Sequence, residues 1–197
     1  MIGVAGEDED GDGEGTDRME TRPAPAVRPA VAADARRIAE IYNQGIAERG
    51  ATFETAPRTA AEMARRLERP EEAAAAAAAR HPTLVVEQEG VVAGWAAIGE
   101  YRPRRCYDGI GEFSIYLDRA ARGRGLGRLL LEALIREAAR LGYWKLVSRI
   151  FPFNTASLAL CRACGFRVVG TYEKHARLDG RWLDVVIVER LIPENQA

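Results

Sequence analysis

The segment RGRGLG at residues 122–127 constrains the fold of this chain more than any other feature of its sequence. It follows a strand-like run, IGEFSIYLD, and precedes leucines that repeat at helical spacing. Glycine lets backbone approach a ligand closely, and a helix start leaves N–H groups unpaired. Arg122, Arg124 and Arg128 add positive charge at the same place. The pattern therefore predicts a strand-to-helix turn that binds an anion such as a phosphate or pyrophosphate.

Two common phosphate-binding loops do not fit this segment. A P-loop needs Lys followed by Ser or Thr after its last glycine, whereas Arg128 and Leu129 follow Gly127 here. A dinucleotide fingerprint, G-x-G-x-x-G, counted from Gly123 would need a glycine where the chain has Arg128. Binding of an acyl-CoA is the third known use of such a loop.

Hydrophobic periodicity predicts a mixed α/β domain built around one sheet. A short strand near Ala26 is followed by two helices and a meander of three strands. The glycine loop then leads into a long helix, a strand, a short helix and a closing hairpin around Asp179 and Gly180. Thr59 and Glu62 form the capping box expected at the start of the second helix. The alanine run at residues 73–79 extends or follows that helix.

The charge distribution separates an N-terminal tail from the rest of the chain. Residues 1–20 contain eight acidic residues and one base, Arg18. Segments of such low hydrophobicity and high charge do not pack. We therefore expect residues 1–25 to be a disordered acidic tail with a Pro/Ala linker, and residues 26–197 to form a single folded domain.

The remaining bases are dispersed along the chain, which favours a small anionic ligand over nucleic acid as the partner. No apolar run approaches the ~20 residues that span a bilayer, and the N-terminus lacks the basic-then-apolar order of a signal peptide. These observations predict a soluble, cytoplasmic protein that binds neither nucleic acid nor membrane.

The three cysteines, Cys106, Cys161 and Cys164, are an odd number, which argues against a disulfide framework. Cys161 and Cys164 have CxxC spacing, but they lie in an apolar, helix-like stretch without partner ligands. Packing is therefore expected of them, and no metal site is predicted.

Two separated motifs resemble those of the Gcn5-related N-acetyltransferases, the GNAT superfamily. The glycine loop matches the signature R-x-x-G-x-G/A, and FNTASLALCRACGF resembles the block N-x-x-S/A-x-x-L-Y-x-x-x-G-F. The matching residues are Arg122, Gly125, Gly127, Asn154, Ser157, Leu160, Gly165 and Phe166. The resemblance covers residues 26–193.

Further segments resemble the phosphinothricin N-acetyltransferase subgroup, which includes enzymes acting on methionine sulfoximine and arsinothricin. They are EIYNQGI, TFETAPRT, RPRRCYDGIGEFSIYLD and YEKHARLDGRWLDV. The resemblance implies a mixed sheet of about seven strands, mostly antiparallel with one splayed parallel pair, flanked by about four helices. It also implies a homodimer that uses acetyl-CoA, without a metal, to acetylate the α-amine of a small amino-acid-like toxin.

The resemblance assigns site residues for acetyl-CoA and for the chemistry. Glu112 is the implied general base, because an acceptor ammonium must lose a proton before attack. Backbone groups on the splayed strand hold the pantetheine, and an N–H near Leu117 polarises the thioester carbonyl. Asn154 is expected to hydrogen-bond the pantetheine, or else to cap the following helix. The implied acetyl-CoA residues are Ile115, Tyr116, Leu117, Arg122, Gly123, Arg124, Gly125, Leu126, Gly127, Arg128, Asn154 and Ser157.

One position departs from the family pattern. Many members carry a tyrosine after the leucine of the second block, where it acts as the general acid for the leaving thiolate. This chain has Cys161 there. The sequence therefore assigns no general acid.

Arg102 and Arg104 alternate along an extended segment and could face the same way. Two guanidinium groups suit an acceptor that carries a carboxylate and a phosphinyl or arsinyl oxyanion. Tyr107 and Phe53 match aromatic positions that the subgroup places around its substrate. An enzyme for protein or peptide amines, an acyl-CoA-binding sensor without turnover, and a nucleotide-binding module remain alternatives at this stage.

Overall fold

A computed structural model describes residues 23–68 and 81–196, and in these ranges seven strands form one mixed sheet. The strand order is β1-β2-β3-β4-β5-β7-β6. β4 and β5 run parallel, and every other neighbouring pair is antiparallel. The strands are β1 Ala26–Pro29, β2 Thr83–Gln88, β3 Val91–Glu100, β4 Ile110–Leu117, β5 Lys145–Ile150, β6 Arg167–Leu178 and β7 Arg181–Leu191. This confirms the predicted sheet.

Four α-helices in the described residues cover the two faces of the sheet. They are α1 Ala35–Glu48, α2 Ala60–Leu67, α3 Leu126–Arg140 and α4 Thr155–Ala163. Leu84 and Val86 pack with α3 and α4, whereas Val85 between them packs with α1 and α2. Because successive strand residues point to opposite faces, the two clusters are cores on opposite sides of the sheet.

Local signals in the sequence account for several element boundaries. The Thr59 hydroxyl accepts a hydrogen bond from the Glu62 N–H at 3.2 Å, and the Glu62 carboxylate accepts from the Thr59 N–H at 2.7 Å. The predicted capping box therefore begins α2. Asp179 and Gly180 both have positive φ, as the two-residue hairpin turn between β6 and β7 requires.

Two sequence predictions fall partly or wholly outside the described residues: the acidic tail up to residue 22, and the alanine run at 73–79. None of the helices in the part of the chain that the structure describes is long and apolar enough to cross a membrane.

The parallel pair β4 and β5 separates soon after it begins. Ile110, Gly111 and Glu112 pair with residues 145–147, and beyond this point the two strands diverge. β4 remains paired with β3 as far as Leu117. The divergence opens a cleft between β4 and β5, and this cleft positions the candidate site.

Candidate active site

The cleft between the diverging strands brings together residues that the sequence leaves far apart. It is lined by Ile115 and Tyr116 of β4, Arg149 of β5, and Asn154, Ser157 and Cys161 around the start of α4. Four of the residues predicted to bind acetyl-CoA therefore share one cleft.

Backbone alternation along β4 determines which polar groups face this cleft. The Phe113 carbonyl accepts a hydrogen bond from Ser148 of β5 at 2.9 Å, and the Asp118 N–H donates to Ala93 beside β3 at 2.8 Å. Because backbone groups of successive residues point to opposite edges of a strand, those of Ile115 and Leu117 face the cleft. This arrangement is suited to an extended pantetheine arm.

The predicted binding of pantetheine by the backbone of Tyr116 does not fit this alternation, because the N–H and C=O of Tyr116 point towards β3. Its side chain stacks on Trp95 at 4.9 Å and meets the edge of Tyr42 at 4.8 Å between ring centroids. Burial raises the pKa of the Tyr116 phenol, which therefore remains protonated. The side chain of Tyr116 packs β4 against α1.

The glycine loop ends in a helix start that no side chain caps. Gly125 is the N-cap residue of α3 and has φ of +80°. A Cβ at Gly125 would meet nothing within 4 Å, so the loop is open to a ligand on that side. In contrast, side chains of Thr59 and Asn154 cap α2 and α4. Uncapped N–H groups at a helix start fit a pyrophosphate.

The arginines of this loop differ in their partners. Arg122 pairs with Glu48 of α1 at 2.9 Å, and Arg128 pairs with Glu132 of α3 at 2.7 Å. Arg124 is exposed and forms no hydrogen bond or ion pair with other described residues. Arg124 is therefore the loop cation that is most available to an incoming phosphate.

Glu48 was not predicted from the sequence, yet it also binds Arg119 at 2.8 Å. Burial acts to raise the pKa of Glu48, but hydrogen bonds from Arg119 and Arg122 outweigh it and hold that pKa below its usual value. The carboxylate at the end of α1 therefore fixes the segment that leads into the glycine loop.

Glu112 is the last residue of β4 that pairs with β5, opposite Val147. Its two carboxylate oxygens accept hydrogen bonds from Nε and Nη2 of Arg149, each at 2.7 Å. The Glu112 side chain is 23% exposed and that of Arg149 is 52% exposed. The predicted base thus lies where β4 and β5 begin to separate, and it is held by Arg149, a cation that lines the cleft and that the sequence analysis did not identify.

Arg149 could have been found from the register of β5. It is one of two charged residues in the strand KLVSRI, and it lies on the same face as Val147, the residue opposite Glu112. Recognising the pair requires knowing that β5 lies beside β4, which no local pattern reveals.

Asn154 caps α4 through its Oδ1 atom, which accepts from the Ser157 N–H at 3.1 Å. Its Nδ2 atom donates to the Gly50 carbonyl at 3.0 Å. Both ends of the amide are therefore used within the protein, where they connect α4 to the segment after α1. Pantetheine binding by Asn154 stays a prediction.

The residues predicted to bind the acceptor lie in two places. Phe53 meets Phe151, the residue after β5, edge-on at 4.8 Å between ring centroids. Arg102 lies over Tyr101 at 5.3 Å and Arg104 over Tyr107 at 5.8 Å, both exposed in the loop that precedes β4. The arginines are therefore close in sequence to Glu112 but stack on tyrosines.

The family model for the acetyltransferase (GNAT) family matches residues 46–166. The chain belongs to the GNAT acetyltransferase family. The match includes β4, the glycine loop, α3, β5 and α4. All the elements that form the cleft are therefore part of the GNAT domain.

Similar proteins within the GNAT family have related names. The chain is 35% identical to the L-methionine sulfoximine/L-methionine sulfone acetyltransferase of Salmonella typhimurium, over 87% of this chain and 96% of that protein. It is 34% identical to the phosphinothricin N-acetyltransferase of Streptomyces viridochromogenes, over 87% and 89% of the two chains.

A solved structure shows the same architecture. The phosphinothricin acetyltransferase of Sinorhizobium meliloti in complex with acetyl-CoA superposes with a TM-score of 0.78 at 35% identity, over 87% of this chain and 90% of that one. The GNAT fold predicted from the sequence is confirmed.

Cys161 is an unusual residue for its place in this GNAT cleft. It is buried, and burial raises the pKa of its thiol to about 12, so the sulfur is neutral near pH 7. Cys161 and Cys164 are free thiols. In the described residues no group of three or more His, Cys, Asp or Glu side chains could hold a metal.

Proposed function

We propose that this GNAT enzyme transfers the acetyl group of acetyl-CoA to the α-amine of a small amino-acid-like toxin. The phosphinothricin, methionine sulfoximine and arsinothricin class is the proposed acceptor. The observation that carries the proposal is the position of Glu112, a carboxylate at the point where β4 and β5 separate to form a cleft suited to acetyl-CoA. The names of the similar proteins support the acceptor class.

In the proposed reaction, Glu112 accepts a proton from the acceptor ammonium, and the amine nitrogen attacks the acetyl carbonyl carbon. The N–C bond forms and the C–S bond breaks. The nitrogen then loses its second proton, which water carries to the leaving coenzyme A thiolate, because the neutral Cys161 thiol is a poor acid. An N–H that faces the cleft at Leu117 stabilises the negative charge on the carbonyl oxygen.

The glycine loop is proposed to hold the pyrophosphate of acetyl-CoA. The first-turn N–H groups of α3 and the guanidinium of Arg124 supply the positive potential. Arg102, Arg104 and Tyr107 are proposed to bind the acceptor beside Glu112, and Phe53 forms an apolar wall next to Phe151.

Product analysis tests this function. Incubation with acetyl-CoA and methionine sulfoximine should yield the mono-N-acetylated amino acid by mass spectrometry, with one coenzyme A thiol released per product. Acetylation of peptide amines but of none of the three toxins would replace the proposal with peptide acetyl transfer. Acetyl-CoA binding without thiol release for any amine would indicate a sensor.

We further propose that two copies of the chain pair through β6, the edge strand of the sheet. Val169, Tyr172 and Trp182 on the β6–β7 hairpin are 51%, 52% and 55% exposed, which is a large apolar surface for a free edge. Light scattering after gel filtration should give twice the 21.6 kDa of one chain. Val169→Glu should yield monomers, and a monomeric wild type would exclude this dimer.

The proposed location is the cytoplasm. Acetyl-CoA is available there, and the three cysteines are free thiols, as a reducing compartment favours. Fractionation of cells that express the full chain tests this, and recovery from an extracytoplasmic fraction would contradict it.

A further inference from the structure

The ion pair between Arg149 and Glu112 has no part in the proposed reaction as described so far. Both oxygens of the proposed base accept charge-assisted hydrogen bonds from one guanidinium group. These two bonds occupy one lone pair on each oxygen, on the side that faces Arg149, so an ammonium group that approaches from this side reaches Glu112 only after the guanidinium moves. The enzyme therefore needs an event that releases Glu112.

The exposure of the pair makes that release inexpensive. More than half of the Arg149 side chain is exposed, whereas Glu112 is more enclosed. Water can therefore replace part of the contact of Arg149 with Glu112, so the pair opens more easily than a buried ion pair would. The pair can therefore open during turnover, provided that Arg149 finds another anion.

The acidic residues of β7, the strand that pairs with β5 beside Arg149, already have partners. Arg149 lies opposite Ile187 of β7, and Phe151 lies two residues farther along the same face. Glu189 pairs with Lys145 and Arg167, and Asp184 accepts from the Lys174 N–H. An anion supplied by a ligand can therefore compete with Glu112 for Arg149.

We propose that Arg149 determines specificity by exchanging Glu112 for the α-carboxylate of the acceptor. An amino acid carries an ammonium and a carboxylate on one carbon, so it matches an adjacent carboxylate and guanidinium. The acceptor carboxylate binds the Arg149 guanidinium in place of Glu112, and Glu112 then accepts a proton from the acceptor ammonium. An amine without an α-carboxylate cannot displace Glu112 from Arg149, so the base stays bound to the guanidinium.

This inference rests on the proposed function and refines its substrate class. The enzyme selects zwitterionic amino acids over amines, amides and esters. It also gives the arginines different roles. Arg149 binds the α-carboxylate of the acceptor, and Arg102 and Arg104 bind the oxyanion at the end of the acceptor side chain.

Two acceptors that differ only in the α-carboxylate test the exchange: methionine sulfoximine and its α-carboxamide. For the wild type, kcat/KM should strongly favour the amino acid. Arg149→Gln should reduce that preference by about tenfold or more, the scale of one lost charge-assisted interaction. This loss of preference should arise from a higher KM for the amino acid. The kcat/KM for the carboxamide should be unchanged or higher. Arg149→Lys should restore part of the preference.

Arg140→Gln is the matched control. Arg140 binds Glu137 through the same two nitrogens, at 2.8 and 2.7 Å, at the far end of α3. Its removal should leave the preference unchanged. Calorimetry should give equal acetyl-CoA affinity for all variants, and weaker binding of methionine sulfoximine only for those at Arg149.

The outcomes separate this inference from the function on which it rests. If the wild type releases no thiol with any amino acid, the proposed function fails and this inference fails with it. If the wild type acetylates methionine sulfoximine but Arg149→Gln slows both acceptors equally, Arg149 is only structural and this inference alone is wrong.

Discussion

At the scale of single residues, the environment decides what each candidate side chain can do. Glu112 lies where β4 and β5 separate and is bound by one half-exposed arginine, Arg149, whereas the Glu48 carboxylate is bound by two arginines, Arg119 and Arg122. Cys161 lines the same cleft, but its thiol is neutral. Glu112 is therefore the carboxylate that we propose as the proton acceptor in this cleft.

Glu112→Gln tests the base directly. Glutamine keeps the shape of the side chain and removes its basicity, so kcat should fall by about 10²–10⁴-fold, the usual contribution of a general base. Steady-state thiol release at neutral pH measures kcat, and calorimetry should show that acetyl-CoA affinity is retained. A kcat close to that of the wild type would exclude Glu112 as the base.

Alkylation tests the burial of the cysteines. Since the thiolate is the reactive form, iodoacetamide at about pH 8 should label the exposed Cys106 and spare Cys161 and Cys164. Burial raises the pKa of both protected thiols, that of Cys161 to about 12, so its labelling should increase only as the pH approaches 12. Peptide mass spectrometry locates the label, and denatured protein is the control. Fast labelling of folded Cys161 near pH 8 would contradict the buried environment.

At the scale of elements, the turn between β4 and α3 is the part of the site that sequence predicts best. Its glycines, its arginines and the leucine spacing of α3 are all local signals. The two ends of α3 also offer an internal comparison, because Gly125 begins the helix and Gly142 lies just beyond it, with φ of +80° and +83°.

Gly125→Ala and Gly142→Ala separate backbone strain from ligand binding. At either position a Cβ meets nothing within 4 Å, so each substitution should cost only the strain of positive φ, about 1–2 kcal/mol in unfolding free energy. Denaturant melts should show similar losses for the two variants. Gly125→Ala alone should weaken acetyl-CoA binding in calorimetry. Equal affinities for the two variants would remove the pyrophosphate from this loop.

The sequence predicted the elements that local patterns specify, but it could not predict contacts between elements that are distant along the chain. Strand and helix periods, the capping box at Thr59 and the turn at Asp179 are local, so the elements could be read in order. Arg149 and Glu48 act across pairings between β5 and β4 and between α1 and the loop. Such contacts depend on tertiary register, which a single sequence does not encode in any short pattern. For the same reason, the sequence alone could not show that the backbone N–H and C=O of Tyr116 face β3, because this depends on the register between β3 and β4.

At the scale of the whole molecule, one sheet carries two cores and leaves an exposed edge. The core on the side of α3 and α4 supports the cleft, and the core on the side of α1 and α2 contains Trp95 and Tyr42. Both cores lie within residues that the structure describes, and the first strand begins at Ala26.

Removal of residues 1–24 should change neither the melting temperature nor kcat/KM appreciably. Eight acidic residues and one base in the first 20 positions provide too little apolar surface for packing. Differential scanning calorimetry and the thiol-release assay on both chain lengths check this. A drop of several degrees on truncation would show that the segment packs on the domain.

Relative kcat/KM values across acceptors measure whether this GNAT enzyme acetylates amino-acid-like toxins. Thiol release from acetyl-CoA should be compared for phosphinothricin, methionine sulfoximine, arsinothricin, glutamate and a peptide amine. At least one toxin should exceed glutamate and the peptide by about tenfold or more, because a tetrahedral polar group at the side-chain end should fit where a planar carboxylate does not. A kcat/KM for the peptide that equals or exceeds the values for all three toxins would show that this acceptor class is wrong.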